Sequence, residues 1–181
     1  MTTSSHSFLT NRTFFKPSER TLGEQLVGFS IFLTLNLGWG LLNSWITEFS
    51  KQGEWPHEII KSTWVPSGWL FIAIWILFYL SQTVSIWSLW RLNFFRTMKL
   101  ELSLYSSQFV LQILWFISFF WWQEISLALV ILLMQFIATM MSFGVFWKRE
   151  KVSGILMILP LASVIFILIL NMAICILRTE C

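Results

Sequence analysis

The chain has 181 residues, 56% of them hydrophobic and only 12% charged, with a formal net charge of +3. A soluble domain carries about 25% charged residues, so this composition excludes an ordinary soluble protein and points to the membrane. The basic balance does not indicate nucleic acid. Nine of the twelve Lys and Arg fall in three short clusters between apolar runs and build no basic face.

Residues 1–22 are polar and rich in Ser and Thr, without the apolar core and small-residue cleavage site of a secretory signal. They read as a tail before a transmembrane domain of residues 23–181. Five apolar runs follow, roughly Leu26–Ile46, Trp69–Trp90, Leu102–Trp122, Ile125–Trp147 and Val152–Leu177. Each reaches the length of about 20 residues that a bilayer-crossing helix needs. None contains Lys, Arg, Asp or Glu, as expected where a charge costs at least ~2.5 kcal/mol. Helices satisfy their own backbone hydrogen bonds in lipid. The expected fold is therefore an all-α integral membrane protein, a bundle of five transmembrane helices with one long loop between helices 1 and 2.

That loop, "TEFSKQGEWPHEIIKSTWVPS", holds two prolines and two tryptophans, Trp55 and Trp64. The other connections are short, so sequential helices should be antiparallel neighbours. Arg12, Lys16, Arg20, Arg91, Arg96, Lys99, Lys148, Arg149 and Lys151 then fall on one side, and Lys51, Lys61 and Arg178 on the other. The positive-inside rule places the N-terminus in the cytoplasm and the C-terminus outside. This pattern suits a bacterial inner membrane.

No catalytic or metal-binding arrangement is visible. His6 and His57 lie far apart, Asp is absent, and no Glu is within a span. Cys175 and Cys181 read as isolated thiols that make no disulfide framework. No catalytic residue, metal or cofactor is assigned. The informative residues are polar and aromatic ones inside spans. Tyr105, Gln108, Gln112 and Trp115 share one face of span three, and Trp75, Tyr79 and Gln82 share one face of span two. Such stripes serve as interhelical glue or line a cavity suited to a flat aromatic ligand, and periodicity alone leaves both open. Trp39, Trp45, Trp87, Trp90, Trp121, Trp122 and Trp147 lie near span ends and read mostly as interfacial belt residues. Pro160 reads as a kink in span five, or as a displaced proline of the family named below. Ser81 and Ser85 give a small-x-x-x-small pair in span two.

The segments "WPHEIIKSTWVPSGW" and "WILFY", then "YSSQFVLQILW", "FF", "ALV" and finally "LN" at Leu170 and Asn171, resemble the signatures of the TspO/MBR family. This is the translocator protein or tryptophan-rich sensory protein family, also called the peripheral-type benzodiazepine receptor. The resemblance covers roughly Trp39 to Leu177. It implies an intramembrane pocket closed by the first loop, which binds a flat apolar ligand: a tetrapyrrole such as protoporphyrin IX, or a sterol such as cholesterol. The implied role is sensory, regulatory or transport, with membrane lipid as surroundings and a homodimer by analogy. The implied ligand-binding residues are Trp64 on the loop, Trp75 and Tyr79 on span two, Gln108, Gln112 and Trp115 on span three, and Asn171.

Four departures qualify this, the first being Ser67 in place of the second Pro of the loop signature. Gln112 stands where the family has Asn. Ser163 or Val164 stands where members linked to porphyrin photochemistry have a second pocket Trp. "LNMAICILR" lacks the Tyr of the sterol motif. The last two argue against porphyrin breakdown and against the animal-type sterol motif. The alternatives are a structural or interaction membrane protein without a ligand, and a weak porphyrin-degrading enzyme.

Overall fold

A computed structural model describes residues 20–50, 68–92 and 97–178. The polar tail before residue 20, the histidines His6 and His57, and the loop with Trp55, Lys61 and Trp64 lie outside the described residues. Helix α1 is Leu22–Ser50, α2 is Gly68–Leu92, and α3 is Lys99–Phe116, which continues as a π-helical turn over Ile117–Trp121. Helix α4 is Ile125–Arg149, α5 is Lys151–Leu156 and α6 is Ile158–Arg178. Among the described residues there is no strand. The helices supply five segments long and apolar enough to cross a membrane: Leu22–Ile46, Ala73–Leu92, Lys99–Trp121, Ile125–Arg149 and Lys151–Ile176. They fall on the five runs expected from sequence.

The span ends follow from local chemistry. Helix α1 opens with reciprocal Thr21 and Glu24 bonds. The Thr21 backbone N–H donates to Glu24 Oε2 (2.9 Å) and the Glu24 N–H donates to Thr21 Oγ1 (3.3 Å), a capping box that satisfies two orphan donors. Helix α1 also runs on to Ser50, so its end takes in residues read as loop. The turn between α3 and α4 is tight, with Gln123 in the left-handed region at φ 59°. The fifth span breaks at Met157, three residues before Pro160. Pro160 lacks the N–H that would have reached back to Leu156, and its ring crowds that carbonyl. The kink reading of Pro160 therefore matches the chain's course.

Helix α2 is central: 56% of its span window is buried, against 17% for α1. Two apolar clusters occupy opposite ends of the bundle. One gathers Phe32, Ile86, Leu89, Met98, Phe146 and Met157. The other gathers Ile46, Trp115, Phe116, Phe119, Ile125 and Leu132. Ser81 and Ser85 are buried inside the bundle, and Ser85 Oγ donates to the Ser153 carbonyl at 2.8 Å. That small-residue pair is thus used within one chain and offers no face to a second copy. Cys175, read as an isolated thiol, is disulfide-bonded.

The first basic cluster with a described residue, and the two that follow α2 and α4, meet at one end. The Arg20 guanidinium lies 3.9 Å from the Trp90 ring centre. Arg91 pairs with Glu150 at 3.6 Å, and Arg149 Nε lies 2.7 Å from Glu101 Oε1, in contact but not aligned as a hydrogen bond. Trp87 Nε1 donates to the Gln25 carbonyl at 2.9 Å. Trp45, Trp121 and Trp122 are exposed at span ends as belt residues should be, whereas Trp90 is buried. Trp39 packs edge-on against Phe109 at 5.1 Å.

Candidate functional site

The polar stripe of α3 is buried over its whole length, from Tyr105 through Gln108 and Gln112 to Trp115. Its four members divide into two pairs. Tyr105 and Gln108 are tied into the bundle. Asn36 Nδ2 donates to the Tyr105 hydroxyl at 2.5 Å. Gln82 Nε2 donates to Gln108 Oε1 at 3.2 Å, Thr139 Oγ1 donates to the same oxygen at 3.4 Å, and Gln108 Nε2 donates to Ser142 Oγ at 2.7 Å. Gln108 therefore joins α2, α3 and α4, and its amide is consumed by helix packing.

Gln112 and Trp115 do something else. One turn further along α3 they line a cavity of about 20 Å³ with Trp75, Phe78, Leu132, Gln135, Val164 and Ile167. Four of the five spans contribute: α2, α3, α4 and α6. A second cavity of about 10 Å³ shares the wall formed by Trp75, Phe78 and Ile167, and extends to Ser163 and Phe166. Val164 and Ser163, the two residues that stand near the place of the family's second tryptophan, each line one of these cavities. Where an indole would fill space, this chain has small side chains.

Aromatic packing frames the site. Trp75 stacks on Tyr79 at 5.7 Å between ring centres and lies 5.8 Å from Phe116. Trp115 stacks on Phe119 at 5.6 Å, and Phe116 on Phe120 at 5.7 Å. The π-helical turn at Ile117–Trp121 supplies Phe119 and Phe120 to this cluster. Its wider winding is closed by the Trp122 N–H bonding the Ile117 carbonyl at 2.9 Å, and such turns recur at functional sites. The Tyr79 hydroxyl accepts from Asn43 Nδ2 at 3.0 Å and is also hydrogen-bonded by Gln112. A Cβ on Gly40 would stand 2.8 Å from the Tyr79 ring, so glycine there lets the ring lie against the α1 backbone.

Of the residues named from sequence, Trp75, Gln112 and Trp115 meet at one cavity, and Tyr79 braces them. Gln108 sits deeper in the bundle as a packing residue. Asn171 is buried on α6, but lines neither cavity. Trp64 lies outside the described residues. Sequence reading missed Asn43, Phe78, Phe116 and Gln135. Two of these carried a usable signal. Asn36 and Asn43 are seven residues apart on one face of span one, and Gln135 is a lone amide in the apolar run of span four.

Among the described residues, no group of three or more His, Cys, Asp or Glu is placed to hold a metal ion. A search of curated proteins finds no matching relative. A sequence model of the TspO/MBR family, however, matches residues 7–177, nearly the full length and all five spans. The chain is thus a multi-pass integral membrane protein of the translocator type, and it belongs to the TspO/MBR family.

Proposed function

We propose that this protein binds a flat apolar ligand, such as a tetrapyrrole or a sterol, inside the bundle, in a sensory, regulatory or transport role and without catalysing its breakdown. The observation that carries the reading is the convergence of Trp75, Gln112 and Trp115 on one cavity between four helices. Indoles offer flat stacking surfaces and an amide offers a polar anchor. Known ligand pockets run to about 300–1,000 Å³, far above this cavity, so binding requires the side chains to part. The shared wall of Trp75, Phe78 and Ile167 is the natural place, since its displacement joins the two cavities. The end bearing Arg91, Arg149 and Lys151 would face the cytoplasm by the positive-inside rule. A bacterial inner membrane is the setting we favour.

Titration of the detergent-purified protein with protoporphyrin IX, followed by tryptophan fluorescence, tests this. Saturable quenching in the low-micromolar range is expected, weakened about tenfold or more by Trp75→Phe or Trp115→Phe, equivalent to about 1.4 kcal/mol. Quenching that stays linear and ignores both substitutions would reduce the interaction to partition into detergent. It would favour the second reading, a structural or interaction protein, which the interhelical bonds of Gln108 support. Porphyrin turnover under illumination is the outcome that would restore the enzymatic alternative.

A further inference from the structure

Helix α1 carries two buried amides, Asn36 and Asn43, seven residues apart and therefore on one face. Each donates to a tyrosine hydroxyl on another helix. Asn36 Nδ2 donates to Tyr105 on α3 at 2.5 Å, and Asn43 Nδ2 donates to Tyr79 on α2 at 3.0 Å. The two bonds are chemically alike, but their surroundings differ. Tyr105 packs in the apolar cluster of Phe32, Ile86 and Phe146, and lines neither cavity. Tyr79 stacks on Trp75 with 29° between the ring planes, and Trp75 lines both cavities. Among the described residues, α1 itself lines neither. It meets the Tyr79 ring at Gly40 and the Tyr79 hydroxyl at Asn43.

A tyrosine side chain turns about two torsions, so its pose is fixed only when the far end is held as well as the backbone end. Asn43 holds the Tyr79 hydroxyl from α1, and Gln112 holds it from α3. Gln112 lines the cavity and must adjust when a ligand parts the walls. Asn43 stands on a helix outside the lining and is the fixed anchor. Resting on the ligand-binding reading above, we propose that Asn43 is a positioning residue of the ligand site. By holding the Tyr79 hydroxyl it keeps the Tyr79 ring as a firm backing for Trp75. The Trp75 indole is then ordered before the ligand arrives, which removes an entropic cost from binding. Only 17% of the α1 span window is buried, the lowest share of the five. The bond therefore links the placement of the least buried span to ligand affinity.

Protoporphyrin IX titrations of detergent-purified variants, with Tm measured alongside, test this. Asn43→Leu keeps the volume, removes the donor, and is expected to weaken affinity about fivefold, the size of effect that ordering one side chain on binding produces. Asn36→Leu is the control. It removes the like bond to Tyr105 and is expected to lower Tm while leaving affinity within about twofold. In a Tyr79→Phe background there is no hydroxyl to hold, and Asn43→Leu is expected to change affinity by less than about twofold. General loosening of the bundle would not give that non-additivity. Asn43→Thr serves where Asn43→Leu does not fold, because its short side chain bonds back to its own helix and does not reach Tyr79. Wild-type affinity in the Asn43 variants, or a loss that persists unchanged in the Tyr79→Phe background, would overturn the assignment and leave the pocket standing. An equal loss in Asn36→Leu would also overturn it and reduce both bonds to helix packing. No saturable binding by the wild-type protein would overturn the pocket and this assignment together.

Discussion

Gln108 and Gln112 are one turn apart on the same buried face of α3, yet they have different tasks. Gln108 is held by Gln82, Thr139 and Ser142, so its removal should be felt in stability. Interhelical hydrogen bonds in membrane proteins average ~0.6 kcal/mol each, and three lost together give about 2 kcal/mol. Gln108→Leu is expected to lower unfolding stability in mixed micelles by that amount while leaving protoporphyrin IX affinity within about twofold. An affinity loss equal to that of Trp115→Phe would place Gln108 in the ligand site after all. Trp75 and Trp115, by contrast, carry their prediction in affinity. The periodicity of the stripe could not separate these cases, because both tasks require burial on one face. The difference lies in what α2 and α4 present at each height.

At the scale of elements, the junction of α4 and α5 depends on a close backbone approach. A Cβ at Gly154 would stand 2.6 Å from the Trp147 Cα, and a backbone atom cannot rotate away. Gly154→Ala should therefore force the two helices apart. Overpacking of this kind costs about 1–3 kcal/mol, read as a lower Tm in detergent. An unchanged Tm would mean that the junction yields at no cost. The same junction presents Glu150, which accepts from Ser88 and from Ser153 Oγ, the latter at 2.6 Å. The short loop "KREK" thus clamps the ends of α2 and α5 together. Its brevity, visible in sequence, predicted antiparallel neighbours. Its clamping role depends on where Ser88 arrives, which the loop's own residues do not specify.

For the whole molecule, alternation of five spans brings the loops after α2 and α4 to one end, and the pairs Arg91–Glu150 and Arg149–Glu101 fasten that end. Glu101 is buried while Arg149 is half exposed. Loss of the cation leaves a buried carboxylate without its counter-charge. Breaking a fully buried pair costs about 3–5 kcal/mol. Exposure of Arg149 discounts this to about 2 kcal/mol, which Arg149→Ala should show in denaturant unfolding. Its neighbour Lys148 is exposed and should behave as wild type when changed to Ala. Orientation can be read independently. A cysteine placed at Lys148 should resist a membrane-impermeant maleimide in intact cells, and one placed at Gln123 should react. The reverse pattern would invert the assignment from the basic clusters.

Sequence alone determined the class of the molecule. Five runs without charge, each of bilayer length, leave no other stable form for the backbone than helices in lipid. The segments around Trp75, Tyr105 and Asn171 carried the family. Sequence also marked which residues would be buried polar groups, because an amide inside an apolar run must find a partner. Which of them are paired was decided only by the tertiary structure. Gln82, Thr139 and Ser142 converge on Gln108 from helices distant in sequence, whereas Gln112, Trp115 and Gln135 are among the residues that line a cavity beside Val164. Pairing depends on the height and rotation at which helices pack, and those are set by the sum of contacts along each interface rather than by the pattern within any one helix.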